Sequence, residues 1–219
     1  MGFSDLGCSF MSNNRSAVYG FVVALMILSF ILLTVAMAGG STSSNNIENC
    51  SWATVSTGGI DYNFGTVAVF YDDNGDKTTM KYKECTDTSQ LCKDCQDPGQ
   101  TALGCTVVVW IASIIFIILS VLRMRSDSTF MKVLAMLTGC FMILFMIVAM
   151  GNWNQECMTK IHNSIGAGVS KDDVDIGPGL GSEIAAFFFT LASLIIHLTT
   201  PVDSIDSSSG QKMPNDNQA

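Results

Sequence analysis

The apolar residues of this chain fall into four long blocks separated by polar segments. Each block is 20 to 22 residues long, and the four are Ala17–Ala38, Leu103–Leu122, Phe130–Met150 and Gly179–Leu198. A helix of about 20 apolar residues crosses a hydrocarbon core of about 30 Å. Within the blocks, formal charges are confined to Lys132 and Glu183, each near one end. The pattern therefore predicts four transmembrane helices that form an all-α bundle.

The segments between the blocks set the expected topology. The short segment 123–129 carries Arg123 and Arg125, and Arg15 lies in the N-terminal segment 1–16. Lys and Arg in short loops mark the cytoplasmic face of a membrane protein. We therefore expect segments 1–16, 123–129 and 199–219 in the cytoplasm. A large loop 39–102 and a smaller loop 151–178 are then expected outside the plasma membrane.

The two outer loops carry most of the acidic charge and most of the cysteines. They hold 13 acidic and six basic residues, which gives −7 of the formal net charge of −8. Such a surface is soluble and also attracts basic partners. Five of the eight cysteines lie in these loops, so disulfides are expected there, with the full pairing left open. The sequon Asn49-Cys50-Ser51 predicts N-glycosylation of Asn49.

The segment "VFYDDNGDKTTMKYK" in the first outer loop predicts a β-hairpin. Asn74-Gly75 is typical of a tight two-residue turn, which pairs Asp73 with Asp76 and Val69 with Met80. One face of this hairpin is apolar and needs to be buried: Val67, Val69, Tyr71, Met80 and Tyr82. A lone hairpin is marginal in water, so further strands are expected at Trp52–Ser56 and Ile60–Phe64. We expect a small, one-sided antiparallel sheet.

The ionisable residues within the apolar blocks give few indications of a functional site in the membrane. Glu183 lies near the outer edge of the fourth block, where an interfacial carboxylate in contact with water is expected. His197 lies near the inner edge and is expected to be interfacial or hydrogen-bonded. No polar stripe is apparent along the four blocks, which makes a pore the least favoured function.

Enzyme chemistry finds little material in this sequence. The chain has two histidines, too few for a histidine-based metal cluster, and no glycine-rich phosphate loop followed by lysine. We therefore expect no catalytic residues, no metal, no cofactor and no nucleic-acid partner.

The layout of spans, loops and cysteines resembles the claudin superfamily. This group includes the junctional claudins, the peripheral-myelin and epithelial-membrane proteins, and the calcium-channel γ subunits with their glutamate-receptor relatives. Trp52 matches in position, and "GQTALG" (Gly99–Gly104) resembles the polar-to-small start of the second span. The resemblance implies a claudin-like bundle with an extracellular sheet and a Cys85–Cys95 disulfide. The sequence departs from the family where "KYKE", rather than Gly-Leu-Trp, precedes Cys85.

Two functions follow from the resemblance. The first is cell–cell adhesion or junction organisation, in which the outer sheet binds another copy or a related four-span protein while membrane lipid surrounds the four spans. The second is an auxiliary subunit that adjusts the gating or trafficking of an ion channel or receptor. In either case the outer sheet is expected to bind the partner, and the candidate contact residues are Trp52, Phe70, Asp72, Asp73 and Asp76.

Overall fold

Four long helices contain the four apolar blocks. The computed structural model describes residues 14–57, 59–73, 75–84, 90–126, 128–164 and 174–201. The long helices are α1 (Arg15–Ala38), α3 (Gln90–Arg125), α4 (Thr129–Asn152) and α6 (Pro178–Thr199). All four are long and apolar enough to cross a membrane, which indicates a multi-pass membrane protein.

The helices form a four-cornered bundle with an inward and an outward face on each helix. Helices α1 and α4 each pack against both α3 and α6. The buried residues of α1 recur every three or four positions, as an amphipathic helix requires: Tyr19, Val22, Met26, Ser29, Leu33 and Ala36. On α4, by contrast, Leu137 and Leu144 are more than half exposed. In a bundle that spans a membrane, this outward apolar surface faces lipid.

Two of the helices project beyond the bundle on one side. Helix α3 has 36 residues, so it is about 54 Å long, well beyond the hydrocarbon thickness of about 30 Å. Helix α4 continues through a π-helical turn (Trp153–Met158) into α5 (Thr159–Ser164). A disulfide joins Cys95 of α3 to Cys157 of the π-helical turn. The ion pair between Lys160 Nζ and Asp94 Oδ2, at 3.7 Å, lies in the same region.

The predicted Cys85–Cys95 disulfide is therefore wrong. The prediction treated Cys95 as part of a loop, but Cys95 is fully buried on α3 with its Cα 4.6 Å from that of Cys157. Because Cys95 has one sulfur and that sulfur is bonded to Cys157, it has none for Cys85. Cys85 itself lies outside the described residues.

The polar loops form a five-stranded antiparallel sheet. Its strands are β1 (Ala53–Thr57), β2 (Ile60–Phe64), β3 (Ala68–Asp73), β4 (Asp76–Lys81) and β5 (Val174–Ile176), in the order β4-β3-β2-β1-β5. The predicted hairpin register is confirmed, because Asp73 pairs with Asp76 and Val69 with Met80. The two further predicted strands are also present, the first displaced by one residue. The fifth strand comes from the smaller loop and pairs with β1.

The expectation of a one-sided sheet is wrong at β3. Val69 and Tyr82 face one core, which they share with the end of the bundle nearest the sheet. On the opposite face, Ala68 and Phe70 pack against Ile47 of the short helix α2 (Ser44–Cys50). Helix α2 therefore covers the side of β3 that was expected to face solvent.

Close backbone contacts fix the sheet to the bundle. A side chain at Gly99 of α3 would collide with the carbonyl of Thr66, in the β2–β3 connection. A side chain at Gly177 would collide with the carbonyl of Ser51, just before β1. Glycine is required at both positions because only its lack of a Cβ lets the backbones approach this closely.

Candidate recognition surface of the sheet

Four acidic residues form an acidic rim at one end of the sheet. Asp61 of β2 lies directly opposite Asp72 of β3, and Asp73 of β3 lies opposite Asp76 of β4. Like charges in directly opposed positions destabilise a sheet. The rim, defined as Asp61, Asp72, Asp73 and Asp76, is thus a surface that carries an electrostatic cost within the chain.

The β3–β4 turn holds part of this rim in a fixed shape. Gly75 has a φ of 100°, a left-handed conformation that glycine adopts without steric cost. Its backbone N–H donates to Asp72 Oδ1 at 2.8 Å. Asp72 is therefore oriented by the turn, while Asp73 and Asp76 are exposed beside it. Asn74 lies outside the described residues.

One lysine beside the rim is held by a carboxylate from another element. Lys77 Nζ donates to both carboxylate oxygens of Glu48 on α2, at 2.9 and 3.1 Å, and lies 5.6 Å from the centre of the Phe70 ring. This hydrogen bond raises the pKa of the Lys77 ammonium. Although Lys77 is paired with Asp72 in the strand register, its closest ionic contact is with α2.

Trp52 does not belong to the recognition surface, contrary to prediction. Its side chain is fully buried, and its indole Nε1–H donates to the carbonyl of Ala36 at 3.0 Å. Its ring packs edge-to-face against Trp153, with centroids 5.5 Å apart. Trp52 instead links the start of β1 to the end of α1 and to the π-helical turn.

Phe70 is also unavailable to a partner. It is 1 % exposed, because α2 covers it through Ile47. The prediction failed because the alternation along β3 is visible in the sequence but its cover is not. The seven residues of α2, which precede β1 in the chain, fold back as a helix over β3. Of the five predicted contact residues, the three aspartates remain accessible at the acidic rim.

The predicted glycosylation site lies at the surface. Asn49 is exposed on α2, where its Nδ2 donates to the carbonyl of Asn45 at 2.7 Å. Glycosylation of Asn49 stays a prediction. The neighbouring Cys50 is a free, half-buried cysteine, and burial raises the pKa of its thiol.

The bundle interior contains polar residues that the sequence reasoning missed. Buried polar positions follow one face of α6 at spacings of seven, three and four residues: Glu183, Thr190, Ser193 and His197. This heptad-like spacing is the signal that reveals them. Thr190 meets Ser29 of α1, with the two hydroxyl oxygens 3.2 Å apart. The expectation of spans without a polar stripe is therefore wrong for α6.

Glu183 is fully buried, so the expected interfacial carboxylate in contact with water is also wrong. Neither of its carboxylate oxygens has a hydrogen-bond partner among the described residues. Thr106 of α3 lies beside it, but the Thr106 hydroxyl donates to the carbonyl of Ala102 at 2.9 Å. An ionised carboxylate without a partner is costly in such a site, so the interior strongly favours a neutral group here.

His197 is hydrogen-bonded, as expected, but it lies inside the bundle. Its Nδ1 is 3.2 Å from Arg123 Nη1, and its Nε2 is 3.0 Å from Ser120 Oγ. Because a guanidinium can only donate, Nδ1 must accept and Nε2 carries the proton in this arrangement. Arg123 is buried as well, 4.7 Å from the Tyr19 ring centre. This network ties α1, α3 and α6 together at the end opposite the sheet.

Comparisons with family models and with curated proteins found no match to this chain. Among the described residues, no group of three or more His, Cys, Asp or Glu side chains could hold a metal ion. The exposed charged groups described on the sheet include those of the acidic rim and its neighbouring lysines.

Proposed function

We propose that this chain is a claudin-like four-span protein of the plasma membrane that mediates cell–cell adhesion or junction organisation through its sheet. The observation that carries the proposal is the acidic rim on a rigid sheet. Paired like charges weaken the isolated sheet, and a basic surface on a partner would relieve that repulsion. The rim thus suits recognition better than it suits stability.

The rigidity of the sheet supports a role in recognition. Strands from both loops form one sheet, and Trp52 fixes that sheet to the end of α1. The Cys95–Cys157 disulfide holds the projecting helices that stand beside it. A surface that is already ordered loses little conformational entropy when it binds a partner.

The charge distribution supports an outward-facing sheet. Arg15 begins α1, Arg123 and Arg125 end α3, and Lys132 lies in the first turn of α4. All four lie at the end of the bundle opposite the sheet, which we call the basic end. By the positive-inside rule this end belongs in the cytoplasm, and the sheet then faces the exterior, where the disulfide is stable.

A charge-matched pair of variants tests the proposal. In the rim variant, Asp72 and Asp73 are replaced by Asn and Asp76 by Gln, because Asn at position 76 would create a new glycosylation sequon with Thr78. In the control variant, three exposed acids elsewhere on the same side of the molecule lose the same charge: Asp97→Asn, Glu156→Gln and Asp175→Asn. Both variants should fold, because solvated surface substitutions usually change stability by about 0.5 kcal/mol or less.

The measurements are surface expression and the aggregation of suspended cells that express each variant at equal surface levels. We expect the rim variant to lose cell aggregation, or to form contacts more slowly and with weaker salt dependence, while the control variant aggregates like the wild type. Equal aggregation by both variants contradicts recognition through the rim. If the wild type causes no aggregation but co-purifies with a channel or receptor in a rim-dependent way, the adhesive function is wrong and the auxiliary-subunit function replaces it.

A further inference from the structure

A cavity of about 290 Å³ lies between the edge of the sheet and helix α3. Its polar lining comes from three parts of the chain: Thr42 after α1, Lys81 and Lys83 around the end of β4, and Gln96 and Gln100 on α3. The buried Tyr82 also lines it, and the Tyr82 hydroxyl donates to the carbonyl of Gly65 at 2.8 Å. The cavity therefore has a floor fixed by Tyr82 and walls that carry hydrogen-bond donors.

The charges of this lining favour an anion. Lys81 is paired with Glu84, with Nζ and Oε1 2.8 Å apart. Lys83 has no ion pair among the described residues. Amide groups of Gln96 and Gln100 add neutral donors. The lining thus offers about one uncompensated positive charge, which matches the single negative charge of a phosphodiester.

The height of the cavity matches the headgroup layer of a membrane. Gln100 and Gln96 precede Leu103, where the second apolar block begins, by three and seven residues. On a helix these separations correspond to about 5 and 10 Å. The headgroup layer extends about 5–8 Å beyond the hydrocarbon on each side. Gln100 therefore lies at the level where lipid phosphates are found, and Gln96 lies a few Å farther from the hydrocarbon, about one helical turn away.

The surface below the cavity is apolar and faces outward. The face of α3 that carries Gln96 and Gln100 continues at helical spacing through Leu103 to Val107 and Ile111. Val107 is 38 % exposed and Ile111 is 51 % exposed. A molecule with a phosphate in the cavity and acyl chains along these side chains would meet polar and apolar surface in the right order.

From these features we infer that the cavity binds the phosphodiester headgroup of a phospholipid from the leaflet on the sheet side. Lys83 contacts the phosphate, Gln96 and Gln100 donate hydrogen bonds to its oxygens, and the acyl chains follow Val107 and Ile111. The site does not depend on the acidic rim, so it stands or falls separately from the adhesive function.

Native mass spectrometry of the detergent-solubilised full chain tests this site. The added lipids are palmitoyl-oleoyl phosphatidylglycerol and palmitoyl-oleoyl glycerol, which has the same chains but no phosphate. We expect the phospholipid to bind the wild type, and Lys83→Gln to weaken that binding about tenfold, as the loss of one charge-assisted contact predicts. Lys77→Gln is the control because it removes the charge of an exposed lysine on β4 that does not line the cavity. It should bind the phospholipid within about twofold of the wild type, since one distant exposed charge contributes little.

A second variant tests the cavity without removing a charge. Gln100 is exposed, so Gln100→Trp should fold and should reduce phospholipid binding by occupying the cavity. The inference is wrong if Lys83→Gln and Lys77→Gln bind the phospholipid equally. It is also wrong if the phosphate-free lipid binds as tightly as the phospholipid, since the headgroup would then be irrelevant. Displacement of the phospholipid by inorganic phosphate alone would identify a free-anion site and overturn the lipid assignment.

Discussion

Replacing Trp52 by Phe should loosen the sheet from the bundle. Trp52 Nε1 donates to the carbonyl of Ala36, one of the last four carbonyls of α1. Gly40, whose N–H would continue the helical pattern at that carbonyl, instead donates to Met37 at 2.8 Å. The Trp52→Phe variant keeps an aromatic ring but removes the N–H, so the buried carbonyl of Ala36 loses its partner.

The cost of this substitution can be worked from the burial of the site. A buried acceptor left without a hydrogen bond costs about 1–3 kcal/mol, and the smaller ring leaves unfilled space against Trp153 that adds to this cost. We expect a total loss of about 2–3 kcal/mol. For a chain of this size the midpoint of thermal unfolding moves by about 2–4 °C per kcal/mol. The expected decrease is therefore about 4–12 °C.

Trp110→Phe is the matched control for this measurement. Trp110 is half-buried and also donates a single indole hydrogen bond, to Thr34 Oγ1 at 3.1 Å, but Thr34 lies on the outward surface of the bundle. Thr34 itself donates to the carbonyl of Phe30, and the Phe30–Trp110 ring stacking is largely kept by phenylalanine. Thermal unfolding in lipid nanodiscs, followed by the fraction of monodisperse protein after heating, compares the two. Equal midpoints for both variants would refute the view that Trp52 anchors the sheet.

Two further predictions concern the backbone contacts and the disulfide. Gly99→Ala should reduce stability by several kcal/mol, or prevent folding, because the new Cβ meets the carbonyl of Thr66. Gly104→Ala is the control, because Gly104 lies in the same helix and a Cβ there has nothing within 4 Å. In the same unfolding assay the control should be neutral or more stable by about 0.5–1 kcal/mol. Cys157→Ser removes a crosslink between residues 62 positions apart, which should cost about 4 kcal/mol by loop entropy, and non-reducing peptide mapping of the wild type should recover Cys157 joined to Cys95 rather than either joined to Cys85.

Local patterns predicted the elements of this fold well. The four apolar blocks were long and uncharged enough to indicate helices, and Asn74-Gly75 determined the hairpin register because few sequences accept positive φ at a two-residue turn. The short strand β5, "VDI" at Val174–Ile176, has too few residues to show alternation. It is a strand because β1 offers an unpaired edge, which is a property of the assembled sheet.

Contacts between distant parts of the chain could not be read from the sequence. The five cysteines of the two outer loops allow many pairings. The choice of Cys157 depends on two helices that extend past the apolar blocks and stand side by side. Likewise, Trp52 and Phe70 are aromatic residues in a polar loop, a pattern that fits an exposed contact and a buried anchor equally well. Their burial depends on α1 and α2, which approach them only in the folded protein.

The bundle and the sheet are stabilised by different forces, which explains why the Trp52 contact between them matters. Within a membrane, lipid is as apolar as leucine, so burial of apolar side chains adds little and helices rely on close packing and polar contacts. The Ser29–Thr190 pair and the His197 network are contacts of that kind. The sheet lies beyond the apolar blocks, where the hydrophobic effect acts on Trp52, Phe64 and their neighbours. The sheet core includes Ala149 and Trp153 from the continuation of the bundle, so neither part completes its core alone, and Trp52 lies where the two cores join.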